Sequence, residues 1–213
     1  MAKLNLGLPI WLFAPFSRRR RRQVADRLLA LMAPIPSGAT LLDVGGPGMA
    51  TMLVAHRFQS VVVANVTEEA LSPNHVAVSR PIDKVLGDGC VLPFRENSVD
   101  FVFSDNVIEH VSEEERETFV NELRRVARRG FFITTPNYWF PFEPHYHMPF
   151  FQFLPRAARE RFLRVARFGF VDNPGENIKL LSRRDLKRLA PDATVTGIGF
   201  TPFSETLVAS WRR

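Results

Sequence analysis

A glycine-rich turn with an acidic residue before it is the first part of the sequence able to hold a ligand. The letters LLDVGGPG place Asp43 two positions before Gly45, and Gly46 and Gly48 follow. Glycine suits a backbone that must turn tightly and approach a ligand closely. A dinucleotide fingerprint G-x-G-x-x-G would use Gly46 and Gly48 and then require glycine or alanine, where Thr51 stands. The turn is therefore a candidate ligand loop, and its fit to a nicotinamide nucleotide is weak.

Histidines form the second set of candidate groups, because imidazole titrates in the range that proton transfer at neutral pH requires. His145 and His147 lie two residues apart in an aromatic segment with Glu143 beside them, and His110 follows an apolar run. Residues two apart in an extended segment face the same side, so Glu143 could orient one imidazole. We predict that these four residues form the general-base region. The alternative is that the histidines only bond loop backbone.

Alternating strands and helices must position these groups. Apolar and β-branched runs predict strands at 40–44, 60–65, 84–86, 99–103 and 131–134, and helical spacing predicts helices at 23–32, 48–58 and 112–129. Ser112 is the predicted N-cap of the last helix, and Gly130 is its predicted stop. This alternation implies a parallel sheet covered on both faces, with ligands beyond the carboxyl ends of the strands.

The last third of the chain has a different character. Residues 135–153 are dense in proline and aromatic residues, a basic helix is predicted at 155–168 and another helix at 182–189, and strands at 194–199 and 206–211 close the sheet. The predicted fold is α/β, a Rossmann-like doubly wound sheet of about seven mostly parallel strands. We expect an N-terminal apolar and basic segment with a helix over residues 1–36. The main domain covers 37–213, and 135–170 form an aromatic lid insertion between strands five and six.

The carboxylate before the glycine turn narrows the choice of ligand. Asp43 would repel a nucleotide pyrophosphate, whereas a carboxylate bonds well to a cationic group, directly or through water. S-adenosylmethionine carries a cationic sulfonium and a cationic amino group. Asp43 therefore favours this cofactor, held by its amino acid part.

Several motifs recur in a fixed order over about residues 40–136. They are Asp43 with Gly45, then Gly87, Asp88, Leu92, Pro93 and Phe94, then NSVDFVFS at 97–104, and IEHV at 108–111. The set resembles the class I S-adenosylmethionine-dependent methyltransferases, in the branch that includes small-molecule and ubiquinone-pathway methylases. The resemblance implies that Asp88 bonds the adenine amino group with Gly89 and Cys90 beside the ring, and that Ser104 and Asp105 lie along the cofactor. For Asp88 the alternative is a plain turn residue.

Three departures from the family pattern stand out. The glycines at 45, 46 and 48 do not alternate, since Pro47 and Met49 occupy positions where glycine is expected. Strand two ends in Asn65 rather than in an acid that accepts both ribose hydroxyls, although an amide can accept one bond and donate another, and Glu68 or Glu69 could substitute. Some ubiquinone-pathway O-methylases carry E-x-x-E-H after strand four and bind a divalent ion. Here Asn106 replaces the first acid, so we predict no metal.

Charge and composition bear on location and partners. The net charge is +6, with an arginine run at 18–22, and the single cysteine permits no intrachain disulfide, which fits a reducing compartment. No segment reaches the ~18 apolar residues of a membrane span. The arginines follow the apolar residues 4–16, the reverse of a secretory signal, so a cytoplasmic protein is expected. Trp11, Phe13 and Phe16 could instead anchor it peripherally on an anionic membrane.

Four functions remain open at this point. The preferred one is O-methylation of a hydroxyl on a small-molecule, glycan or lipid-linked acceptor. The second is C- or N-methylation on the same fold, and the third is a non-catalytic module that has lost cofactor binding, motivated by Asn65 and the altered glycine loop. The fourth, a nicotinamide oxidoreductase, rests on the glycine turn alone. Nucleic acid is not the expected acceptor because no N-P-P-Y or D-P-P-Y segment is present, and the oligomeric state is left open.

Overall fold

A seven-stranded sheet is the frame of the protein, here in a computed structural model. The structure describes residues 4–5, 10–46, 49–68, 82–143, 145–146, 148–167, 178–199 and 204–213, without the side chains of 4–5, 10–17, 49 and 164–167. The strands of the sheet are β1 (Thr40–Val44), β2 (Ser60–Asn65), β3 (Asp83–Leu86), β4 (Val99–Asp105), β5 (Ala127–Pro136), β6 (Thr194–Ile198) and β7 (Thr206–Arg212). Their spatial order is β6-β7-β5-β4-β1-β2-β3. Only β7 runs antiparallel to its neighbours, so the predicted mostly parallel sheet is confirmed.

Helices flank the sheet, and short pieces connect them. The helices are α1 (Ile10–Met32), α2 (Met49–Val54), α3 (Arg116–Val126), α4 (Arg156–Val165) and α5 (Arg183–Leu189), with 3₁₀ turns at Ala55–Arg57 and Phe151–Phe153. Two-residue strands pair Leu4–Asn5 with Ala166–Arg167, and Phe142–Glu143 with Met148–Pro149. The arginine run therefore lies inside α1, which begins well before the predicted residue 23.

Alternation along the central strands divides the core into two layers. Phe101 and Phe103 of β4 pack with α1 and α2, whereas Val102 between them packs with α3 and α5. Successive side chains of a strand point to opposite faces, so a strand buried on both sides is apolar throughout. A third, smaller cluster of Tyr146, Phe151 and Leu163 lies in the aromatic segment between β5 and α5. Whether this segment acts as a lid stays a prediction.

The helix predicted at 112–129 is too long at both ends. Ser112 was the expected N-cap, but its hydroxyl donates to Glu115 Oε2 at 2.8 Å and α3 begins only at Arg116. At the other end, 127–130 belong to β5, and Gly130 is a strand glycine where a Cβ would lie 2.5 Å from the Trp211 carbonyl oxygen. Pairing with β4 and β7 outweighs helix propensity there, since propensity is worth well under 1 kcal/mol per residue.

Asp100 explains why Arg128 and Arg129 lie in an extended strand rather than in a helix. Its carboxylate accepts hydrogen bonds from the Thr40 N–H at 3.0 Å, from Arg129 Nε at 3.0 Å and from Arg128 Nη1 at 3.2 Å. Burial by itself would raise the pKa of Asp100, but these donors outweigh it and hold that pKa below its usual range. One carboxylate thus ties together the starts of β1, β4 and β5.

We expect Asp100→Asn to lower the free energy of unfolding by about 1–2 kcal/mol, measured by urea denaturation. A charge-assisted bond is worth roughly 1.5–3 kcal/mol, and the half-exposed arginines reduce that figure. Because folding lowers the pKa of Asp100, the wild-type protein has the larger free energy of unfolding at neutral pH. The difference from the variant shrinks as the pH falls through that lowered pKa. The control is Asp83→Asn on the exposed edge strand. Equal stability of the Asp100→Asn variant and the wild-type protein at pH 7 would contradict the assignment.

Candidate functional site

The glycine turn closes directly over a buried carboxylate at the end of β1. Asp43 is fully buried, and a Cβ at Gly46 would collide with its carboxylate oxygens. Gly45 adopts φ +86°, a conformation that favours glycine, and a Cβ there would collide with Val107. Gly46 is therefore required by close packing against Asp43, and Gly45 by its positive φ and by the Val107 side chain. Gly48 lies outside the described residues.

Asn65 holds this turn in place from the end of β2. Its Nδ2 donates to the Gly46 carbonyl at 2.8 Å, and its Oδ1 accepts from the Val66 N–H at 2.8 Å. The Gly45 N–H also donates to the Ala64 carbonyl at 2.8 Å. In this arrangement the Asn65 amide supports the loop. Its role as a ribose ligand stays a prediction.

The turn after β3 is joined to the same edge. The Gly87 N–H donates to the Asn65 carbonyl at 2.9 Å, and Asp88 Oδ1 accepts from the Cys90 N–H at 2.8 Å. Gly89 is buried where a Cβ would lie 2.5 Å from the Phe119 ring. Burial and the neighbouring Asp88 raise the pKa of Cys90 to about 11, so this thiol is not a nucleophile at neutral pH. The turn geometry of Asp88 is compatible with both of its predicted roles.

Ser104 and Asp105 end β4 next to these loops. Ser104 is fully buried, and its Oγ has no hydrogen-bond partner among the described residues. Asp105 Oδ1 accepts from Thr134 Oγ1 at 2.5 Å. Asn106 follows in the left-handed region at φ 57°, where its N–H donates to the Thr134 carbonyl at 3.0 Å. The turn of the chain away from the sheet is therefore fixed by β5.

Arg20 reaches this edge from α1, a placement that sequence reasoning missed. Its Nε donates to Thr206 Oγ1 at 2.8 Å, its Nη2 donates to Asn106 Oδ1 at 2.9 Å, and Asp105 Oδ1 lies 3.7 Å away. Its side chain is only 16% exposed, whereas Arg22 is exposed. The missed signal is the i, i+4 spacing, because residue 20 extends the buried stripe of 24, 28 and 32 by one turn.

The burial of Arg20 weakens the interpretation of the N-terminal arginine run as a membrane-binding surface. One of its members is committed to the protein interior, and the predicted anchor residues Trp11, Phe13 and Phe16 have side chains outside the described set. No helix in the described part of the chain is long and apolar enough to cross a bilayer.

A cluster of two carboxylates and two imidazoles lies beyond β4. Glu109 is fully buried, with Oε2 accepting from Thr135 Oγ1 at 2.9 Å and Oε1 lying 3.9 Å from His145 Nε2. On the other side of that ring, His145 Nδ1 is 2.7 Å from Glu143 Oε1. The His110 ring meets His145 edge-on, with centroids 5.3 Å apart. Three of the four predicted general-base residues are thus together, and His147 lies outside the described residues.

Burial dominates the electrostatics of this cluster. It raises the pKa of Glu109 to about 7, although the Glu109 backbone, His145 and Thr135 all act to lower it. The second Glu143 oxygen accepts from the Tyr146 N–H at 2.6 Å, which fixes the carboxylate that orients His145. One oxygen of Glu109 and one nitrogen each of His110 and His145 lie within 4.8 Å of one another, a set of atoms able to hold a metal ion. Sequence reasoning missed this set, because His145 comes from a distant loop.

Comparison with known proteins finds a family match over part of the chain. Residues 42–134 match the family described as Methyltransferase domain. An uncharacterized methyltransferase of Mycobacterium sp. strain JLS is 38% identical over 110 residues, which cover 50% of this chain and 42% of the relative. An uncharacterized protein of Mycobacterium tuberculosis is 28% identical over 193 residues, which cover 82% of this chain and 64% of the relative. The chain thus spans less than two thirds of either relative.

Solved structures show the same architecture. Magnesium protoporphyrin IX methyltransferase from Synechocystis PCC 6803 with bound S-adenosylmethionine has a TM-score of 0.57 at 16% identity, covering 92% of this chain and 81% of that chain. A SAM dependent methyltransferase from Aquifex aeolicus has a TM-score of 0.53 at 18% identity, covering 89% of this chain and 90% of that chain. Residues 42–134 therefore match a methyltransferase domain, in agreement with the motifs in that part of the sequence, and the solved methyltransferase structures share the fold of the chain.

We expect Arg20→Met to lower the free energy of unfolding by about 1–3 kcal/mol, because it leaves the part-buried Asn106 and Thr206 oxygens without their donor. Urea denaturation would measure this loss. Arg22→Met, which removes an exposed arginine of the same helix, should stay within about 0.5 kcal/mol of wild type. Similar behaviour of the two variants would refute the structural role of Arg20.

Proposed function

We propose that this protein is an S-adenosylmethionine-dependent methyltransferase that acts on a hydroxyl oxygen of a small-molecule, glycan or lipid-linked acceptor. The observation that carries this proposal is the Glu143–His145 pair, whose imidazole faces the buried Glu109 beyond the end of β4. Methyl transfer from a sulfonium is an in-line displacement with a neutral leaving group. The protein must mainly position the nucleophile and remove one proton, and a hydroxyl acceptor needs a base for that proton.

The cofactor would lie along the edge formed by the ends of β1, β2, β3 and β4. Asp43 would attract the amino acid part of S-adenosylmethionine under the turn of Gly45, Gly46 and Gly48. Asn65 would face the ribose, Asp88 and Gly89 the adenine, and Ser104 and Asp105 the remaining length. The supporting observation is that Asn65 bonds the Gly46 carbonyl while its own carbonyl accepts from Gly87, so the three loops form one continuous edge.

His145 is the proposed base. The bond from Nδ1 to Glu143 leaves Nε2 as the nitrogen that takes the acceptor proton, and the carboxylate stabilises the imidazolium that forms. The acceptor oxygen then forms its bond to the methyl carbon as the sulfur–methyl bond breaks, and that electron pair stays on sulfur. Glu109 and His110 complete the wall of the site.

Exposed aromatic rings support a glycan or lipid-linked acceptor. Trp139 and Phe150 are each 60% exposed, and the rings of Trp139 and Phe153 lie 6.0 Å apart. Trp139 also borders an open cavity of about 680 Å³ that is otherwise lined by polar and cationic residues of α5 and its cap, namely Ser182, Arg183, Arg184, Lys187 and Arg188. Aromatic faces suit sugar rings and apolar chains, and the cations suit a linking phosphate.

For the cofactor, we expect Asp43→Asn to weaken S-adenosylmethionine binding by about ten- to hundredfold, the equivalent of losing one charge-assisted contact. Isothermal titration calorimetry measures the dissociation constant, and circular dichroism checks that the variant is folded. The matched control is Asp26→Asn on the exposed side of α1. An unchanged dissociation constant in folded Asp43→Asn protein would contradict the role of Asp43 in binding S-adenosylmethionine.

For the base, we expect His145→Gln to lower turnover by about 10²- to 10⁴-fold with little change in cofactor affinity. Transfer of tritiated methyl from S-adenosylmethionine into glycan and lipid extracts measures turnover. The exposed His56, changed to Gln, is the control.

Product chemistry decides the acceptor atom in the same experiment. An O-methyl ether releases its label as methyl iodide in boiling hydriodic acid, whereas an N-methyl group releases it only on stronger heating and a C-methyl group keeps it. Label recovered only as N-methyl or C-methyl groups would overturn O-methylation. Full turnover in folded His145→Gln protein would remove His145 as the base.

A further inference from the structure

The loop after β4 has an asparagine where the E-x-x-E-H pattern has its first acid. The segment reads N-x-x-E-H, with Asn106 three residues before Glu109. Asn106 Oδ1 accepts the bond from Arg20 Nη2 at 2.9 Å, so this amide oxygen is engaged by α1. The next two residues with ligating atoms in this loop are Glu109 and His110, and a stable site for a cation needs at least one more.

The aromatic segment supplies that further group. His145 approaches from the chain between β5 and α5, and its Nε2 lies 3.9 Å from Glu109 Oε1. Its other nitrogen is held by Glu143 at 2.7 Å, the carboxylate–histidine arrangement that orients metal-binding imidazoles in proteins. We propose that Glu109, His110 and His145 bind a divalent transition-metal ion, with Glu143 as the positioning residue for His145.

A buried oxygen is the second observation that points to a ligand here. Glu109 is fully buried, and its Oε1 has no hydrogen-bond partner among the described residues, although it is aimed toward His145. A buried carboxylate oxygen without a bonded partner destabilises the folded protein. A cation between Oε1 and Nε2 would satisfy that oxygen.

The spacing of the three ligand atoms fits this role. Metal–ligand bonds of about 2.1 Å place two ligands of one ion roughly 3–4 Å apart. The three atoms here lie within 4.8 Å of one another. Closing the site therefore needs a movement of about 1 Å, and the His110 side chain is exposed.

The kind of ligand decides which ion fits. One carboxylate with two imidazoles suits manganese, iron, cobalt or zinc and leaves coordination positions open, whereas magnesium and calcium prefer oxygen ligands. In catalysis this inference rests on the proposed function. A hydroxyl bound at an open position would lose its proton to solvent water more easily, and its oxygen would form the bond to the methyl carbon as the sulfur–methyl bond breaks. With an ion bound, His145 would be a ligand and solvent water would take the acceptor proton, whereas without the ion His145 would be the base as proposed above.

Cobalt(II) is the probe for binding, because its visible absorption reports coordination without any acceptor. Tag-free protein is stripped with a chelator and titrated with cobalt(II), and calorimetry gives the affinity. We expect one ion per chain, displaced by zinc but not by millimolar magnesium. His110→Ala and His145→Ala should each weaken binding by about a hundredfold or more. Glu143→Gln should weaken it by about 10–100-fold.

The exposed histidine variant His56→Ala is the control and should bind cobalt(II) like wild type. Absence of stoichiometric binding to folded wild-type protein would overturn the site, and so would wild-type affinity in folded His145→Ala protein.

A methyl-transfer assay on stripped and metal-restored protein separates this inference from the proposed function. Cobalt(II) binding that depends on His145, together with no transfer to oxygen, supports the site and overturns O-methylation. Transfer to oxygen by protein that binds no ion has the opposite meaning, since it leaves His145 as the base and overturns the metal site.

Discussion

Buried carboxylates are the constraint around which the ligand edge of this protein is organised. Asp43, Glu109 and Glu143 are each at most 2% exposed, close to the carboxyl ends of the central strands. Taking an ion out of water costs several kcal/mol unless hydrogen bonds or opposite charges compensate. The hydroxyl of Thr135 on Glu109 and the imidazole of His145 on Glu143 supply part of that compensation. The folding of this edge therefore depends on the same groups that are proposed to give it chemistry.

Much of the fold was predictable from the sequence because its signals are local and repeated. The strands of a parallel sheet are buried on both faces, so runs such as SVVVAN at β2 are continuously apolar and easy to recognise. The ends of α3 and the start of α1 were not predictable in this way. Residues 127–130 are extended because β4 and Asp100 hold them there, and the arginine run hides the stripe that links Arg20 to Val24. Both features are set by contacts distant in sequence.

The candidate site shows the same division between local and distant information. Spacing alone suggested that Glu143 could orient a neighbouring histidine, and the two side chains are hydrogen bonded. Spacing could not show that His145 lies against Glu109, 36 positions earlier in the numbering, because no periodicity relates the aromatic segment to the loop after β4. It also could not show that Asn106 is engaged by Arg20, since that contact needs the third dimension. Residue types identified the chemistry, and the topology selected which of them meet.

The position of β7 has a consequence for the order in which the sheet can be completed. Among the described strands of this sheet, β6 hydrogen bonds only to β7, which separates it from β5. During synthesis on the ribosome, β5 and β6 emerge before β7. Each of them has an edge of unpaired backbone N–H and C=O groups until β7 inserts between them. Such edges are sites of intermolecular pairing. Strand β7 thus completes the sheet by pairing with both neighbours. Before β7 is synthesised and paired, the chain is most prone to aggregation or most dependent on chaperones.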